Sequence, residues 1–128
     1  MARAVFDASA VIALLRDEPG AEVVGSYAGE ALISAVNLQE VIKVLLADGV
    51  SLGVAREMLG PLGLDVRSHG PDEAWAAAGL YPATRSRGSG LGDRSCMALA
   101  IAEGLPALTT DRAWNELAIA GLSVVLAR

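Results

Sequence analysis

Four acidic residues stand at comparable places relative to the predicted strands and helices, namely Asp7, Glu40, Asp93 and Asp111. Asp7 and Asp111 directly follow apolar runs typical of buried strands, and Asp93 opens an apolar helix. Glu40 lies in the first turns of a helix that follows a strand. Carboxylates that converge repel one another, and Mg²⁺ or Mn²⁺ is the usual partner of an all-carboxylate set. The pattern therefore permits a divalent-metal site.

Each of these acids also has a simpler interpretation. Asp is a favoured N-cap residue, and any acid near a helix N-terminus interacts well with the helix dipole. Residues 37–40 (NLQE) resemble a capping box, and Glu40 could instead pair with Lys43. Against this, Asp93 shares a helix face with Cys96, and a carboxylate beside apolar groups is costly unless something positive meets it. The pattern alone leaves capping and metal binding open.

The composition predicts one acidic domain over residues 1–128. Hydrophobic residues make up 53% and mean hydropathy is +0.45, which indicates buried parallel strands and an oligomer or partner surface. No apolar run reaches the roughly 18 residues of a membrane span, and no signal peptide is expected. A net charge of −5 argues against coating nucleic acid through bulk charge. Cys96 is the only cysteine, which fits a reducing, cytoplasmic compartment.

Strand and helix signals alternate along the chain and predict a three-layer α/β fold with a parallel sheet. Strands are predicted at Arg3–Phe6, Ala31–Ser34, Leu64–Arg67, Ala107–Thr109 and Val124–Leu126. Helices are predicted at Ser9–Arg16, Ala21–Tyr27, Asn37–Ala47, Leu52–Leu59 after a Ser51 cap, Ala74–Leu80 after a first turn at 71–73, Asp93–Glu103 and Ala113–Ile119. Tyr81–Gly90 is predicted to be a loop. The pattern does not give the strand order.

Four stretches, FDASAVIALL (6–15), ISAVNLQEVIKVL (33–45), LGDRSCMALAIAEGLPALTTDRAW (91–114) and LSVVL (122–126), resemble PIN-domain proteins and, more narrowly, the VapC-type toxins of toxin–antitoxin pairs. The resemblance covers essentially the whole chain. It implies a three-layer α/β/α PIN-like fold whose five-stranded parallel sheet has the order 3-2-1-4-5.

The resemblance also implies a site. Its acidic pocket for Mg²⁺ or Mn²⁺ would consist of Asp7, Glu40, Asp93 and Asp111. Ser9 and Thr109 match supporting hydroxyl residues of the family. Asn115 stands in a region where some relatives carry a further acid.

The function implied by the resemblance is metal-dependent endonucleolytic cleavage of RNA by a toxin. The implied partners are a VapB-type antitoxin and a second copy of the chain in a homodimer. Four arginines near the proposed site could contact RNA phosphates, although each could equally be a solvated surface residue: Arg85, Arg87, Arg94 and Arg112. Trp75 and Trp114 are predicted to be packing residues.

Other classes of protein fit less well. A phosphorelay receiver domain needs a lysine after the fifth strand, but the only lysine is Lys43. A phosphatase with an aspartyl nucleophile needs Asp-x-Asp after the first strand, where this chain has Asp7-Ala8-Ser9. The main remaining alternative is a non-enzymatic PIN scaffold that binds RNA or a protein partner.

Overall fold

A five-stranded parallel sheet forms the middle layer of the computed structural model, which describes residues 1–128. The strands are β1 (Ala4–Phe6), β2 (Ala31–Ser34), β3 (Asp65–Arg67), β4 (Ala107–Thr109) and β5 (Val124–Leu126). Their order is β3-β2-β1-β4-β5, which confirms the expected order. In the central strand, Val5 pairs with Leu32 of β2 and with Ala107 of β4. The carboxyl ends of β1 and β4 therefore lie side by side.

Helices cover both faces of the sheet. They are α1 (Ala8–Leu15), α2 (Ala21–Gly25), α3 (Ala35–Ala47), α4 (Leu52–Leu59), α5 (Pro71–Ala78), α6 (Tyr81–Thr84) and α7 (Leu91–Glu103), with 3₁₀ turns at Gly60–Leu62, Arg85–Arg87 and Arg112–Glu116. Helices α1 to α4 contribute to one hydrophobic core, and α7 contributes to the other. The predicted three-layer α/β/α architecture is confirmed.

The two cores explain why β1 is apolar at every position. Ala4 and Phe6 belong to the core under α1 to α4, while Val5 belongs to the core under α7. Successive side chains of a strand point to opposite faces, so a strand covered on both sides needs apolar residues throughout. Asp7 is the first polar residue after this run, which places it at the edge of the sheet.

Helices α3 and α7 each begin two residues earlier than predicted, and the hydrogen bonds at their first turns give the reason. Ser34 is the N-cap of α3, and its hydroxyl accepts from the backbone N–H of Val36 at 3.2 Å. The capping box predicted at residues 37–40 is therefore wrong, because these residues lie inside the helix. Helix α7 begins at Leu91, so Asp93 is its third residue and not its first. The other helix bounds differ from the predictions by at most three residues.

Two local predictions are wrong. The segment predicted as a loop, Tyr81–Gly90, contains α6 and a 3₁₀ turn, since Pro82 suits the first turn of a helix. The helix predicted at Ala113–Ile119 is a 3₁₀ turn at Arg112–Glu116, where the Asp111 side chain caps the Ala113 N–H and the Leu117 N–H donates to the Trp114 carbonyl, which ends the turn.

The two tryptophans differ in exposure. Trp114 is buried in the core under α7, as predicted. Trp75, predicted to pack, is instead 81% exposed, since it lies on the outer side of α5. The longest helices have 13 residues, and no helix has both the length and the apolar character that crossing a membrane requires.

Candidate active site

Asp7 is a buried carboxylate at the carboxyl end of β1, with only 4% of its surface exposed. It occupies the N-cap position of α1, yet its side chain caps no backbone N–H. Its Oδ2 instead accepts hydrogen bonds from the Ser9 hydroxyl at 2.7 Å and the Thr109 hydroxyl at 2.9 Å. The capping interpretation therefore does not account for Asp7.

The same two hydroxyls join the ends of β1 and β4. The Ser9 hydroxyl accepts from the backbone N–H of Thr110 at 3.1 Å, and the Thr109 hydroxyl accepts from that of Asp111 at 3.1 Å. The two hydroxyl oxygens lie 3.2 Å apart. Each hydroxyl thus holds Asp7 on one side and the backbone after β4 on the other, so the position of Asp7 is fixed by both strands.

The charge of Asp7 is poorly compensated. The pKa of Asp7 is raised from 3.8 to about 6, mainly by burial; the charges of Asp93 and Glu40 add to the rise, and the hydrogen bonds from Ser9 and Thr109 oppose it. No ion pair involves Asp7. A carboxylate held in this state favours a nearby cation, because the cation would stabilise its charged form.

Glu40 lies on α3 and is half-buried. Its Oε1 accepts from the side-chain amide of Asn37 at 2.8 Å, and the same amide nitrogen donates to the backbone carbonyl of Gly92 at 2.9 Å. Lys43 forms no ion pair with Glu40, so the pairing considered above is wrong. Glu40 is therefore directed toward the first turn of α7.

Asp93 caps the start of α7 and also belongs to the acidic group. Its Oδ2 accepts from the backbone N–H of Gly90 at 3.0 Å, which closes the first turn of α7. Burial raises the pKa of Asp93, and the charge of Asp111 raises it further, while the Gly90 hydrogen bond and Arg94 lower it. Capping and metal binding are compatible here, because one oxygen remains free of hydrogen bonds.

Asp111 differs from the other three acids because it is exposed. Its Oδ1 accepts from the backbone N–H of Ala113 at 3.0 Å and caps the 3₁₀ turn. The capping interpretation thus fits Asp111 directly. It still lies close enough to Asp93 for the two charges to interact.

The buried thiol of Cys96 lies within electrostatic range of three of the acids. Burial raises the pKa of this thiol well above its usual range, and three acids raise it further. They are Asp7, Asp93 and Glu40. Asp7, Asp93 and Glu40 therefore belong to one acidic group at the carboxyl edge of the sheet.

The acids are not yet in the geometry of a metal site. No three His, Cys, Asp or Glu side chains already surround a point where an ion could sit. The donor set nevertheless fits Mg²⁺ or Mn²⁺, since it consists of oxygens and its negative charges oppose one another. Binding of a common ion would require the carboxylates to rotate toward it.

The four arginines fall into different environments. Arg94 is half-buried; it donates to the carbonyl of Ser89 at 2.8 Å, and its guanidinium lies 5.5 Å from the Tyr81 ring centroid. Arg87 is paired with Glu116 at 2.8 Å. The remaining two, Arg85 and Arg112, are exposed and form no ion pair, and Asn115 is exposed without a side-chain hydrogen bond.

Comparison with known proteins identifies the family of the chain. Residues 4–120 match the PIN domain, so the chain belongs to the PIN-domain family. Members of this family are generally nucleases, which supports a hydrolase that acts on nucleic acid. A search of curated protein sequences gave no significant match.

Several solved structures share the fold. A DNA-bound VapBC complex from Salmonella typhimurium has a chain that is 17% identical, with a TM-score of 0.70 and full coverage of both chains. A toxin–antitoxin complex from Klebsiella pneumoniae is 19% identical, with a TM-score of 0.73 and 98% coverage of both chains. FitAcB from Neisseria gonorrhoeae is 21% identical, with a TM-score of 0.67 and 97% coverage of both chains. At such identities the likeness concerns the fold.

Proposed function

We propose that the chain is a metal-dependent endoribonuclease that acts as the toxin of a toxin–antitoxin pair. The observation that carries this proposal is Asp7, a buried carboxylate held by two hydroxyls, repelled by two other acids and not used as a helix cap. Burying an unpaired carboxylate is costly, and a structural role would be served by an uncharged residue. A cation that binds at this edge of the sheet removes that cost.

The proposed ligands of Mg²⁺ or Mn²⁺ are Asp7, Glu40, Asp93 and Asp111. When bound, the ion would activate a water molecule and neutralise charge on the phosphate oxygens. The protein supplies the placement of the ligands. Ser9 and Thr109 hold Asp7, and the Gly90 N–H holds Asp93, so few side-chain torsions remain to be ordered when the ion binds.

The arginines have separate proposed roles in holding RNA phosphates. Arg94 lies beside Asp93, lowers its pKa, and is oriented by the Ser89 carbonyl and the Tyr81 ring. Arg85 and Arg112 are free to contact phosphates at the rim. Arg87 would first have to leave Glu116, so its contribution should be the smallest. Phosphate contacts of this kind position a substrate without reading its sequence.

The proposed activity is tested with end-labelled RNA. We expect Mn²⁺ or Mg²⁺ to support internal cleavage, EDTA to stop it, and DNA of the same sequence to be cut more slowly. Separation of the products by denaturing electrophoresis gives the rate and the position of cleavage. RNA that is bound with divalent metal but never cut would contradict the enzyme and favour the non-enzymatic scaffold.

The proposed partners follow from the apolar surface and the shared fold. Trp75, Leu91 and Leu52 are among the large apolar side chains that remain exposed, and apolar surface of this kind favours association. We propose a homodimer that binds a VapB-type antitoxin in the cytoplasm.

The dimer has its own test. Light scattering of the purified chain at micromolar concentration should give about twice the chain mass of 13.1 kDa. Replacing the exposed Trp75 by Ser would show whether α5 contributes to association, with Trp114 left intact as the packed tryptophan. A monomer under these conditions would contradict the dimer and leave the nuclease proposal standing.

A further inference from the structure

A fully buried amide lies behind the acidic group. Asn37 is the third residue of α3, and none of its surface is exposed. Its Nδ2 donates to Oε1 of Glu40 at 2.8 Å and to the backbone carbonyl of Gly92 at 2.9 Å. Because a carbonyl and a carboxylate can only accept, both bonds need the NH₂ group, which fixes the orientation of the amide.

Gly92 on α7 faces this amide and the Glu40 carboxylate, and it has no side chain. A Cβ placed on Gly92 would overlap the carboxylate of Glu40. Glycine inside a helix is unfavourable relative to alanine, so the first turn of α7 gives up helix stability to leave this space. Gly92 also directly precedes Asp93, so the Glu40 carboxylate lies against the backbone next to that acid.

We infer that Asn37 is a positioning residue for Glu40, and that Gly92 provides the space into which Asn37 directs the carboxylate. The Oδ1 of Asn37 is buried and has no partner, so the amide is poorly satisfied as a core residue. An apolar side chain of the same size would pack there without that unpaired oxygen. The two donated bonds are what asparagine supplies, and they tie Glu40 to the backbone beside Asp93. This inference rests on the proposed metal-dependent function.

The test uses Asn37→Leu, which keeps the size and removes both donors. Residues that orient metal ligands typically change metal affinity by 10- to 100-fold when they are replaced. We therefore expect the Mn²⁺ concentration that gives half of the maximal rise in melting temperature to increase at least about tenfold. The melting temperature in EDTA should stay the same or rise. In the cleavage assay, kcat should fall at saturating RNA while KM for RNA changes little.

Gln39→Leu is the matched control, because it makes the same amide-to-leucine change on α3 at an exposed position without a side-chain hydrogen bond. It should leave the Mn²⁺ midpoint within twofold of the parent. Gly92→Ala tests the same inference without touching Asn37. The overlapping atoms belong to the flexible end of Glu40, so the helix should tolerate alanine while Glu40 moves away. Its melting temperature in EDTA should hold or rise, and its Mn²⁺ midpoint should increase as in Asn37→Leu.

The outcomes separate this inference from the function on which it rests. If Asp7→Asn abolishes the Mn²⁺ response but Asn37→Leu and Gly92→Ala keep the parental midpoint, Asn37 does not position Glu40 and the nuclease proposal stands. If the melting temperature of the parent does not respond to Mn²⁺, both this inference and the proposed metal-dependent function are contradicted. If Asn37→Leu does not fold, Gly92→Ala decides alone, since a parental midpoint in that variant overturns the inference.

Discussion

Asp7→Asn is expected to abolish metal-dependent RNA cleavage while leaving the metal-free protein at least as stable as the parent. Asparagine keeps the size of aspartate, and its Oδ1 can still accept from Ser9 and Thr109, but it brings no negative charge to a cation. Metal ions contribute several kcal/mol to such reactions, so the cleavage rate should fall by at least about a hundredfold. Removing one of several crowded carboxylates also relieves repulsion, which supports the metal-free fold.

Two measurements on each variant decide between ligand and cap: the cleavage rate with Mn²⁺ and the melting temperature in EDTA. Asp72→Asn is the matched control, because Asp72 is an exposed acid in the first turn of α5 and lies outside the acidic group. It should cleave at the parental rate. An Asp7→Asn variant that also cleaves at the parental rate would return Asp7 to a structural role.

The other three acids extend this prediction. Asp93→Asn and Asp111→Asn keep caps of similar quality, and Glu40→Gln keeps the length of its side chain. We expect each to abolish cleavage with little change in metal-free stability. Asp111 gives the most demanding test, since it is exposed and already has a capping partner. Full activity in Asp111→Asn alone would reduce the proposed ligand set to Asp7, Glu40 and Asp93.

The central strands β1, β2 and β4 were predictable because a sheet covered on both faces requires apolar runs. The bounds of β2, β4 and β5 agree with the prediction, and the other two strands differ by one residue. The strand order came from the family resemblance, since periodicity carries no information about which strands are neighbours. With β1 and β4 adjacent, the closeness of Asp7 to the end of β4 follows from chain connectivity alone.

Features that depend on contacts between distant segments were not predictable. Asn37 and Gly92 are 55 residues apart, and no local pattern indicates that one donates to the other. The only signals were an amide in an apolar helix and a glycine near a helix start, and both have ordinary local interpretations. The exposure of Trp75 was missed for a related reason, because a large aromatic residue in an apolar segment favours a buried position that tertiary packing here does not provide.

In the absence of metal, the stability of the folded chain is expected to fall as the pH rises from 4 to 7. The folded-state pKa of Asp7 is about 6, above the value of 3.8 for a free side chain, so the folded chain binds this proton more tightly than the unfolded chain. The contribution of the Asp7 proton to the free energy of unfolding is fully present below about pH 4 and is lost as the pH rises through 6. The shift corresponds to about 3 kcal/mol. The raised pKa of Asp93 acts in the same direction. Melting in EDTA between pH 4 and 7 should show this loss, and Asp7→Asn should show less of it.

A divalent cation should restore the stability that the metal-free chain loses at neutral pH. Metal ligands must be deprotonated, so Mn²⁺ competes with the proton on Asp7 and binds more tightly at pH 7.5 than at pH 5. At a hundredfold excess over its dissociation constant, an ion that binds only the folded chain adds about 2.7 kcal/mol to the free energy of unfolding. We therefore expect Mn²⁺ to raise the melting temperature at pH 7.5 well above the value in NaCl of equal ionic strength, and to raise it much less at pH 5. Equal shifts with Mn²⁺ and NaCl at pH 7.5 would mean that general screening, and not an ion held by these carboxylates, relieves their repulsion.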